Sequence, residues 1–151
     1  MIYLAADHAG FELKEKIKEF LTKEGHQVED CGAYKFDAED DYPDFIAKAA
    51  EAVSKDPDNS KAIILGGSGQ GETIVANKFP GVRAAVYYGK AEQMPVLTRQ
   101  HNDSNILSLG ARFLTENEAS EAVKLFLETP FSEEARHARR IEKIKKIENT
   151  L

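Results

Sequence analysis

Residues 61–73 read KAIILGGSGQGET, an apolar run that passes directly into a glycine-rich loop. A short apolar run closed by glycines is typical of a buried strand in a parallel sheet. The loop has the spacing G-x-x-x-x-G-x-[ST] of a nucleotide phosphate loop, but position 72 is a glutamate where that motif requires a lysine. Because a carboxylate repels nucleotide phosphates, this junction predicts a strand–loop–helix unit with a different chemistry.

Strand-like and helix-like segments alternate along the whole chain. The predicted strands are residues 2–6, 26–32, 61–67, 83–89 and 105–111. The predicted helices are residues 11–25, 43–55, 71–79, 95–102, 115–129 and 132–151. This alternation predicts an α/β fold in which a parallel sheet carries helices on both faces, with an extended C-terminal helix. In such a sheet, ligands bind at the carboxyl ends of the strands.

Several helix ends are marked by local signals. Thr115 and Glu118 have the spacing of a capping box, and Gly25 is a typical residue just beyond a helix end. Pro95 allows two interpretations. It lies in the first turn of a helix that begins near Met94, or it kinks a helix that began at Lys90.

The composition predicts a single domain, residues 1–151, with 26 acidic and 20 basic residues and a net charge of -6. This charge argues against nucleic acid or an anionic membrane as a partner. No apolar run approaches the roughly 18 residues of a membrane span, and no secretory leader is recognised, so a cytoplasmic location is expected. The sole cysteine, Cys31, is expected to be a small buried residue. Residues 32–42 form one long polar connection, which suggests a lid.

The glycine loop predicts a site for acid–base chemistry at carbon. Glycines at positions 67, 69 and 71 allow backbone N–H groups to approach a ligand oxygen, and Glu72 follows on the first helical turn. A carboxylate base beside donors for an oxyanion suits proton abstraction next to a carbonyl. The simpler alternatives are that Glu72 only complements the helix dipole and that Ser68 only caps the helix. A dinucleotide fingerprint G-x-G-x-x-G is absent.

Further polar residues flank the predicted strands. Asp7 and His8 follow the first strand, whereas His101, Asn102 and Asp103 come just before the fifth. Metal binding by His8, His101 and Asp103 is an alternative, but the spacing matches no common metal motif.

The C-terminal helix carries a cluster of arginines that predicts a phosphate site. Arg136 and Arg140 lie four residues apart and therefore on one helix face. Arginine binds phosphate through its planar fork, so these two residues and Arg112 form a candidate phosphomonoester site, assisted by His137 or His8. The alternative is a solvated cationic face. Since the helix has its own apolar stripe, it is expected to reach a neighbouring subunit, with the site shared across a dimer.

Taken together, these motifs resemble one known family. The segments are AADHAGFELKEKI (5–17), DYPDF (41–45), GGSGQGETIVANKFPGVRAA (66–85), RQHNDSNILSLGAR (99–112) and RHARRIEKI (136–144). They resemble the ribose-5-phosphate isomerase B and galactose-6-phosphate isomerase family from residue 1 to about 144. The resemblance implies a doubly wound, Rossmann-like fold with a five-stranded parallel sheet. It also implies homodimers or homotetramers with sites between subunits, and no metal or organic cofactor.

The resemblance implies an aldose–ketose isomerase that acts through a cis-enediolate, with ribose 5-phosphate and ribulose 5-phosphate as the expected pair. Many members carry a cysteine base where this chain has Gly66, and another branch uses a glutamate, which here is Glu72. His101, with Asp7, would open the sugar ring, and Ser68 would contact the reacting carbons. The other implied contacts are Gly67, Gly69 and Gly71 to the enediolate, His8, Tyr42 and Asn102 to the sugar, and Arg112, Arg136, His137 and Arg140 to the phosphate.

Three alternatives stay open at this point. The substrate is a different sugar phosphate, such as allose or galactose 6-phosphate or a tetrose phosphate. The chain is a catalytically silent sugar-phosphate-binding subunit, although such a subunit would need the arginines and not the base. The sheet carries a nucleotide or flavin.

Overall fold

The strand–helix alternation builds one parallel sheet in the structure, a computed structural model that describes residues 1–151. The strands are β1 (Ile2–Ala6), β2 (Val28–Asp30), β3 (Lys61–Gly66), β4 (Ala84–Tyr87) and β5 (Ile106–Gly110). The helices are α1 (Phe11–Lys23), α2 (Pro43–Lys55), α3 (Gln70–Ala76), α4 (Met94–Asn102), α5 (Glu116–Glu128) and α6 (Ala135–Glu148). The sheet order is β2-β1-β3-β5-β4, and every neighbouring pair is parallel. The predicted α/β fold class is confirmed.

Alternate residues of each central strand pack into two separate cores. In β3, Ile63 and Leu65 face the core formed with α1 and α5, whereas Ala62 and Ile64 face the core formed with α2 and α3. Because both faces are covered, the strand is apolar along nearly its whole length, which is the run visible in the sequence. The sheet and the helix layers on its two faces together form the predicted three-layer arrangement.

The helix-end predictions agree with the structure. Thr115 and Glu118 form the capping box, with reciprocal hydrogen bonds of 3.1 and 2.8 Å. Pro95 lies in the first turn of α4, so no kinked helix begins at Lys90. Gly25 has a φ of +85°, just beyond the end of α1. Predicted strand 26–32 is shorter than expected, since only Val28–Asp30 is extended strand and Gly32 turns the chain at φ +102°.

A buried lysine fixes the start of the polar segment 33–42, which is the connection predicted at 32–42 without its first residue, Gly32. Lys14 on α1 has no exposed surface, and its ammonium group donates to both oxygens of Asp30 at 2.7 and 2.9 Å and to the Ala33 carbonyl at 2.6 Å. A buried charge requires such partners, because leaving it unpaired would cost several kcal/mol. The pairing therefore ties the end of β2 and the first residue of the segment to α1.

The strand register aligns the carboxyl ends of the central strands at one edge of the sheet. Ala6 of β1 pairs with Leu65, Gly66 of β3 pairs with Gly110, and Tyr87 of β4 pairs with Leu109. The loops that follow β1, β3, β4 and β5 consequently lie side by side at this edge, which is called the carboxyl edge below.

Helix α6 lies at the opposite, amino edge. At its start, the backbone N–H of Ser132 donates to Gln100 near the end of α4. At its far end, the Glu148 carboxylate accepts the Gly81 N–H at 3.0 Å, just before β4. Both contacts are with residues that precede a strand. None of the helices combines the length and apolarity that a membrane crossing requires.

Candidate active site

Glu72 lies buried at the carboxyl edge, with 4% of its surface exposed. Its carboxylate folds back onto the end of β3. A Cβ added to Gly66 would lie 1.7 Å from Glu72 Oε1 and 2.6 Å from Oε2. The acid therefore occupies the space that any side chain at position 66 would fill, and α3 presents it inwards and not to solvent.

Its surroundings shift the acidity of this carboxyl group. Burial raises the pKa of Glu72, its own backbone N–H works in the opposite direction, and the nearby negative charge of Asp7 raises it further. A carboxyl group with a raised pKa at a strand end has the properties of a general base, because it binds a proton more tightly than an exposed glutamate.

The glycine loop is held in shape by its neighbours. Gly69 has a φ of +77°, and its carbonyl accepts from Ser108 Oγ at 2.8 Å and from Thr73 Oγ1 at 2.7 Å. The side chain of Arg112 lies over Gly67, where a Cβ would be 3.1 Å from Nη1. That of Tyr42 lies over Gly71, where a Cβ would be 2.6 Å from Cζ. Contacts or backbone conformation within the protein therefore favour glycine at each of these positions, in addition to the close approach to a ligand that the sequence suggested.

The residues after β1 form the adjoining part of this edge. Asp7 Oδ1 accepts the backbone N–H groups of Ala9 and Gly10 at 3.0 and 3.2 Å, which shapes the turn into α1. His8 Nδ1 lies 4.0 Å from Asp7 Oδ2 and 2.7 Å from Oδ1 of Asp40. The hydrogen bond with Asp40 is the main reason that the pKa of His8 is raised, although some desolvation opposes it.

Asp40 is a site residue that the sequence analysis did not identify. It lies in the polar segment predicted to be a lid, among three other acidic residues, Asp37, Glu39 and Asp41. Nothing in the local sequence distinguishes the acid that turns inwards from those that face solvent.

A second group of predicted site residues lies at the amino edge. The rings of His101 and His137 stack at 4.4 Å between centroids and 16° between planes. His137 is buried, and its Nε2 has no hydrogen-bond partner. Burial lowers the pKa of His137, and the positive charges of His101 and Arg136 add to this effect. Asn102, Arg136 and Arg140 are exposed on the same side of the molecule.

A single chain does not bring the two groups together. The carboxyl-edge group comprises Asp7, His8, Tyr42, Gly67, Ser68, Gly69, Gly71, Glu72 and Arg112, whereas the amino-edge group comprises His101, Asn102, Arg136, His137 and Arg140. The six residues of β3 separate the two edges by roughly 16 Å, at about 3.3 Å per residue. That span is longer than any side chain.

The same separation bears on metal binding. His8 lies at one edge and His101 and Asp103 at the other, so one chain does not form the metal site that these residues suggested. Asp103 instead pairs with Arg83 and Arg99 at 3.1 and 2.8 Å. At the carboxyl edge, ligand atoms of Asp7, His8 and Asp40 lie within 4.8 Å of one another. Because Asp40 Oδ1 and His8 Nδ1 are joined by a hydrogen bond, we assign no metal there.

Comparisons with known proteins agree over nearly the whole chain. The family described as Ribose/Galactose Isomerase matches residues 2–144. The ribose-5-phosphate isomerase B of Mycobacterium tuberculosis is 46% identical over 149 residues, which cover 99% of this chain and 90% of that protein. A crystal structure of ribose-5-phosphate isomerase B from Mycoplasma genitalium with bound ribulose-5-phosphate has a TM-score of 0.95 at 41% identity, covering 99% of this chain and 97% of that one.

A second solved structure shows the same similarity. Ribose-5-phosphate isomerase B from Clostridium thermocellum has a TM-score of 0.91 at 41% identity, and the match covers 99% of this chain and 97% of the other. Sequence and fold therefore lead to one conclusion: this chain belongs to the ribose/galactose isomerase family.

Proposed function

We propose that this chain is an aldose–ketose isomerase that interconverts ribose 5-phosphate and ribulose 5-phosphate. The observation that carries the proposal is the buried Glu72 carboxylate, which lies beside the glycine loop at the carboxyl edge. The isomerase names of the relatives and the ribulose-5-phosphate bound in the Mycoplasma genitalium enzyme support the choice of substrate.

In the proposed mechanism, Glu72 removes a proton from one of the first two carbons of the open-chain sugar and returns it to the other, while a hydroxyl proton moves between the oxygens on the same two carbons. The negative charge that develops on the oxygens of the cis-enediolate is stabilised by backbone N–H groups of loop residues 67–71. The first N–H groups of a helix have no partner within the helix, so those at the start of α3 can act as donors. The Gln70 N–H makes only a long hydrogen bond, of 3.4 Å, to Ser68 Oγ. Ser68, on the same loop, contacts the reacting end of the sugar.

This chemistry needs a base and hydrogen-bond donors, and no external oxidant or reductant, because the sugar is oxidised at one carbon and reduced at its neighbour. We therefore propose an enzyme that works without a metal or organic cofactor. Its phosphorylated substrates belong to central carbohydrate metabolism, which fits a cytoplasmic location. The two cores on one continuous sheet support a single domain over residues 1–151.

We further propose that each active site is shared between two copies of the chain. His101 and Asn102 of one copy would complete the carboxyl edge of the other, with His101 and Asp7 opening the sugar ring. Arg112 from the carboxyl edge and Arg136, His137 and Arg140 from the amino edge would bind the phosphate. The buried Nε2 of His137 has no hydrogen-bond partner within the chain, although Glu134 Oε2 lies 3.7 Å away, and it fits such a role.

Exposed apolar side chains support a homodimer or a larger homo-oligomer. Tyr88 and Phe113 follow β4 and β5 at the carboxyl edge, contact each other at 5.9 Å between ring centroids, and are both exposed. Ile144 and Ile147 are exposed on α6. Large apolar side chains in such positions are typical of protein–protein contacts.

The substrate is tested by a coupled assay of the purified protein with pentose, hexose and tetrose phosphates. We expect turnover to be highest with ribose 5-phosphate. Preferential turnover of a hexose or tetrose phosphate would identify a different isomerase of the same family. No turnover with any sugar phosphate that nonetheless binds would identify a silent binding subunit.

Replacing Glu72 by glutamine removes the base while keeping the shape of the side chain. We expect kcat to fall by at least about a hundredfold, as is usual when a general base is lost, with binding of ribose 5-phosphate retained. Calorimetry measures the binding, and the coupled assay measures turnover. The control is Glu12→Gln, an exposed glutamate in the first turn of α1. A Glu72→Gln variant with undiminished kcat would assign the base to another residue.

The raised pKa of Glu72 predicts the pH at which activity is lost on acidification. Only the ionised carboxylate accepts a proton, so activity is lost as the pH falls through the pKa of this group. Because burial raises that pKa, kcat should reach half its maximum at a pH above the value of about 4.3 for an ordinary glutamate. The profile is measured in kcat at saturating substrate, which separates it from ionisation of free sugar phosphate. Full activity down to pH 4.3 would contradict the prediction.

Gly66→Ala tests the position of the carboxylate. The added Cβ would displace the end of the Glu72 side chain, which is flexible, so the fold should survive while the base moves away. Since a displacement of about 1 Å can cost a hundredfold in rate, we expect kcat to fall between tenfold and a thousandfold, about a hundredfold being typical. Circular dichroism and the unfolding midpoint check the fold. Wild-type turnover in this variant would show that the contact is not needed for catalysis.

Mixing two inactive variants tests the shared site. Glu72→Gln damages the carboxyl edge, and the double variant Arg136→Ala/Arg140→Ala damages the amino edge. Random reassociation of equal amounts gives about half mixed dimers, each with one intact site, so about a quarter of the wild-type sites should return. The matched control mixes Glu72→Gln with Arg112→Ala. Both changes lie on the carboxyl edge, and no activity should return. Equal recovery in both mixtures, or none in either, would contradict a shared site.

A further inference from the structure

The side chain of Asp40 is buried against the candidate active site. Only 7% of it is exposed, although it belongs to a polar segment whose other acids face solvent. Its Oδ1 accepts the backbone N–H of His8 at 2.9 Å and lies 2.7 Å from Nδ1 of the His8 ring. One carboxylate oxygen thus holds both the main chain and the side chain of the same residue.

The segment that carries Asp40 makes a second contact with the imidazole. Phe36 meets the His8 ring edge-on, at 6.4 Å between centroids and 87° between planes, and it meets Phe11 in a similar way at 6.5 Å. The ring of His8 is therefore held from two sides, while 28% of its side chain stays exposed. Its orientation is fixed before any ligand arrives.

The hydrogen bond determines which nitrogen of His8 faces a ligand. An ionised carboxylate is only an acceptor, so Nδ1 must carry the proton between the two residues. Nε2 is left for a ligand. In the neutral ring Nε2 is an acceptor and would repel a phosphate oxygen, whereas in the imidazolium ion it is a donor. The charge of Asp40 favours the imidazolium ion.

Three charged groups act on the His8 ring. Asp40, from the polar segment, contributes most to its raised pKa, through the hydrogen bond. Asp7, from the same turn, acts in the same direction, and Arg112, from the loop after β5, acts against both. Arg112 is also a proposed phosphate ligand, so an anion bound between it and His8 would be attracted by both.

We propose that Asp40 is a positioning residue for phosphate binding, which holds His8 with Nε2 directed to the ligand as a hydrogen-bond donor. Asp40 itself does not contact the substrate. The identification of the anion as the phosphate of a sugar phosphate rests on the proposed function. The polar segment 33–42 is thereby coupled to the site, since its one buried acid contacts the ligand-binding histidine.

Asp40→Asn tests the charge while keeping an acceptor for both hydrogen bonds of His8. We expect the pKa of His8, followed by NMR, to fall. At pH 7.5 the KM for ribose 5-phosphate should rise roughly tenfold, the usual effect of one charge-assisted hydrogen bond, with kcat within about twofold of wild type. At a pH below the His8 pKa that NMR gives for each protein, the ring is protonated in both, and the two KM values should converge. A merely structural role would give a KM ratio that does not depend on pH.

Two further variants complete the experiment. Asp37→Asn removes the same charge from an exposed position of the same segment and should change neither KM nor the titration of His8. Asp40→Glu keeps the charge and should retain the raised pKa of His8. It provides a second measurement at this position if the asparagine variant does not fold. Either of two results would overturn the proposal. One is a His8 titration that is unchanged in every folded variant that lacks the charge at position 40, and the other is a KM ratio that stays constant between pH 7.5 and a pH below both His8 pKa values.

The NMR titration also separates this proposal from the proposed function. Adding inorganic phosphate to the wild-type protein should raise the pKa of His8 further, and the increase should be smaller in Asp40→Asn. This result is independent of turnover. If no sugar phosphate is isomerised but these shifts occur, the isomerase proposal fails and the role of Asp40 stands. If a sugar phosphate is isomerised but these shifts do not occur, the isomerase proposal stands and the proposed role of Asp40 fails.

Discussion

The packing of the Glu72 carboxylate against Gly66 is the contact on which the rest of the candidate site depends. Glycine at the end of β3 leaves a space, and the first turn of α3 directs the acid into it. This arrangement buries the carboxyl group, raises its pKa and places it beside the glycine loop. These properties depend on one position without a side chain, so residue 66 shapes the candidate site through the room it leaves.

This geometry also bears on the difference between members of the family. The sequence resemblance assigns a cysteine base to position 66 in many members and a glutamate base to position 72 in others. In this chain, a Cβ at position 66 and the inward carboxylate would occupy the same space. The cysteine and the glutamate that the resemblance names as bases therefore exclude each other in this backbone conformation, and both positions lie at the same end of β3.

Much of the fold is predictable from local signals in the sequence. The apolar run within predicted strand 61–67 and the capping box at Thr115 each have a local physical cause, and each lies where predicted. For Pro95, the sequence left two positions open, and the structure has the proline in the first turn of α4. The division of the site residues between two edges also follows from sequence order, because His101 precedes the fifth strand and Arg112 follows it. The inward direction of Asp40 does not follow, since it depends on how a loop without regular structure packs against His8.

Burial and the start of a helix act on the acidity of the Glu72 carboxyl group in opposite directions. A helix N-terminus favours the ionised carboxylate, but α3 has only seven residues, and the effect of a helix dipole is modest, about 0.3–1 kcal/mol at exposed sites. Burial favours the neutral acid and is the main reason that the pKa of Glu72 is raised, ahead of the opposing hydrogen bond from its own backbone N–H. A base must lose its proton before catalysis and hold the substrate's proton during it. A carboxyl group that burial shifts towards neutrality holds such a proton more tightly, as the proposed role of Glu72 as the base requires.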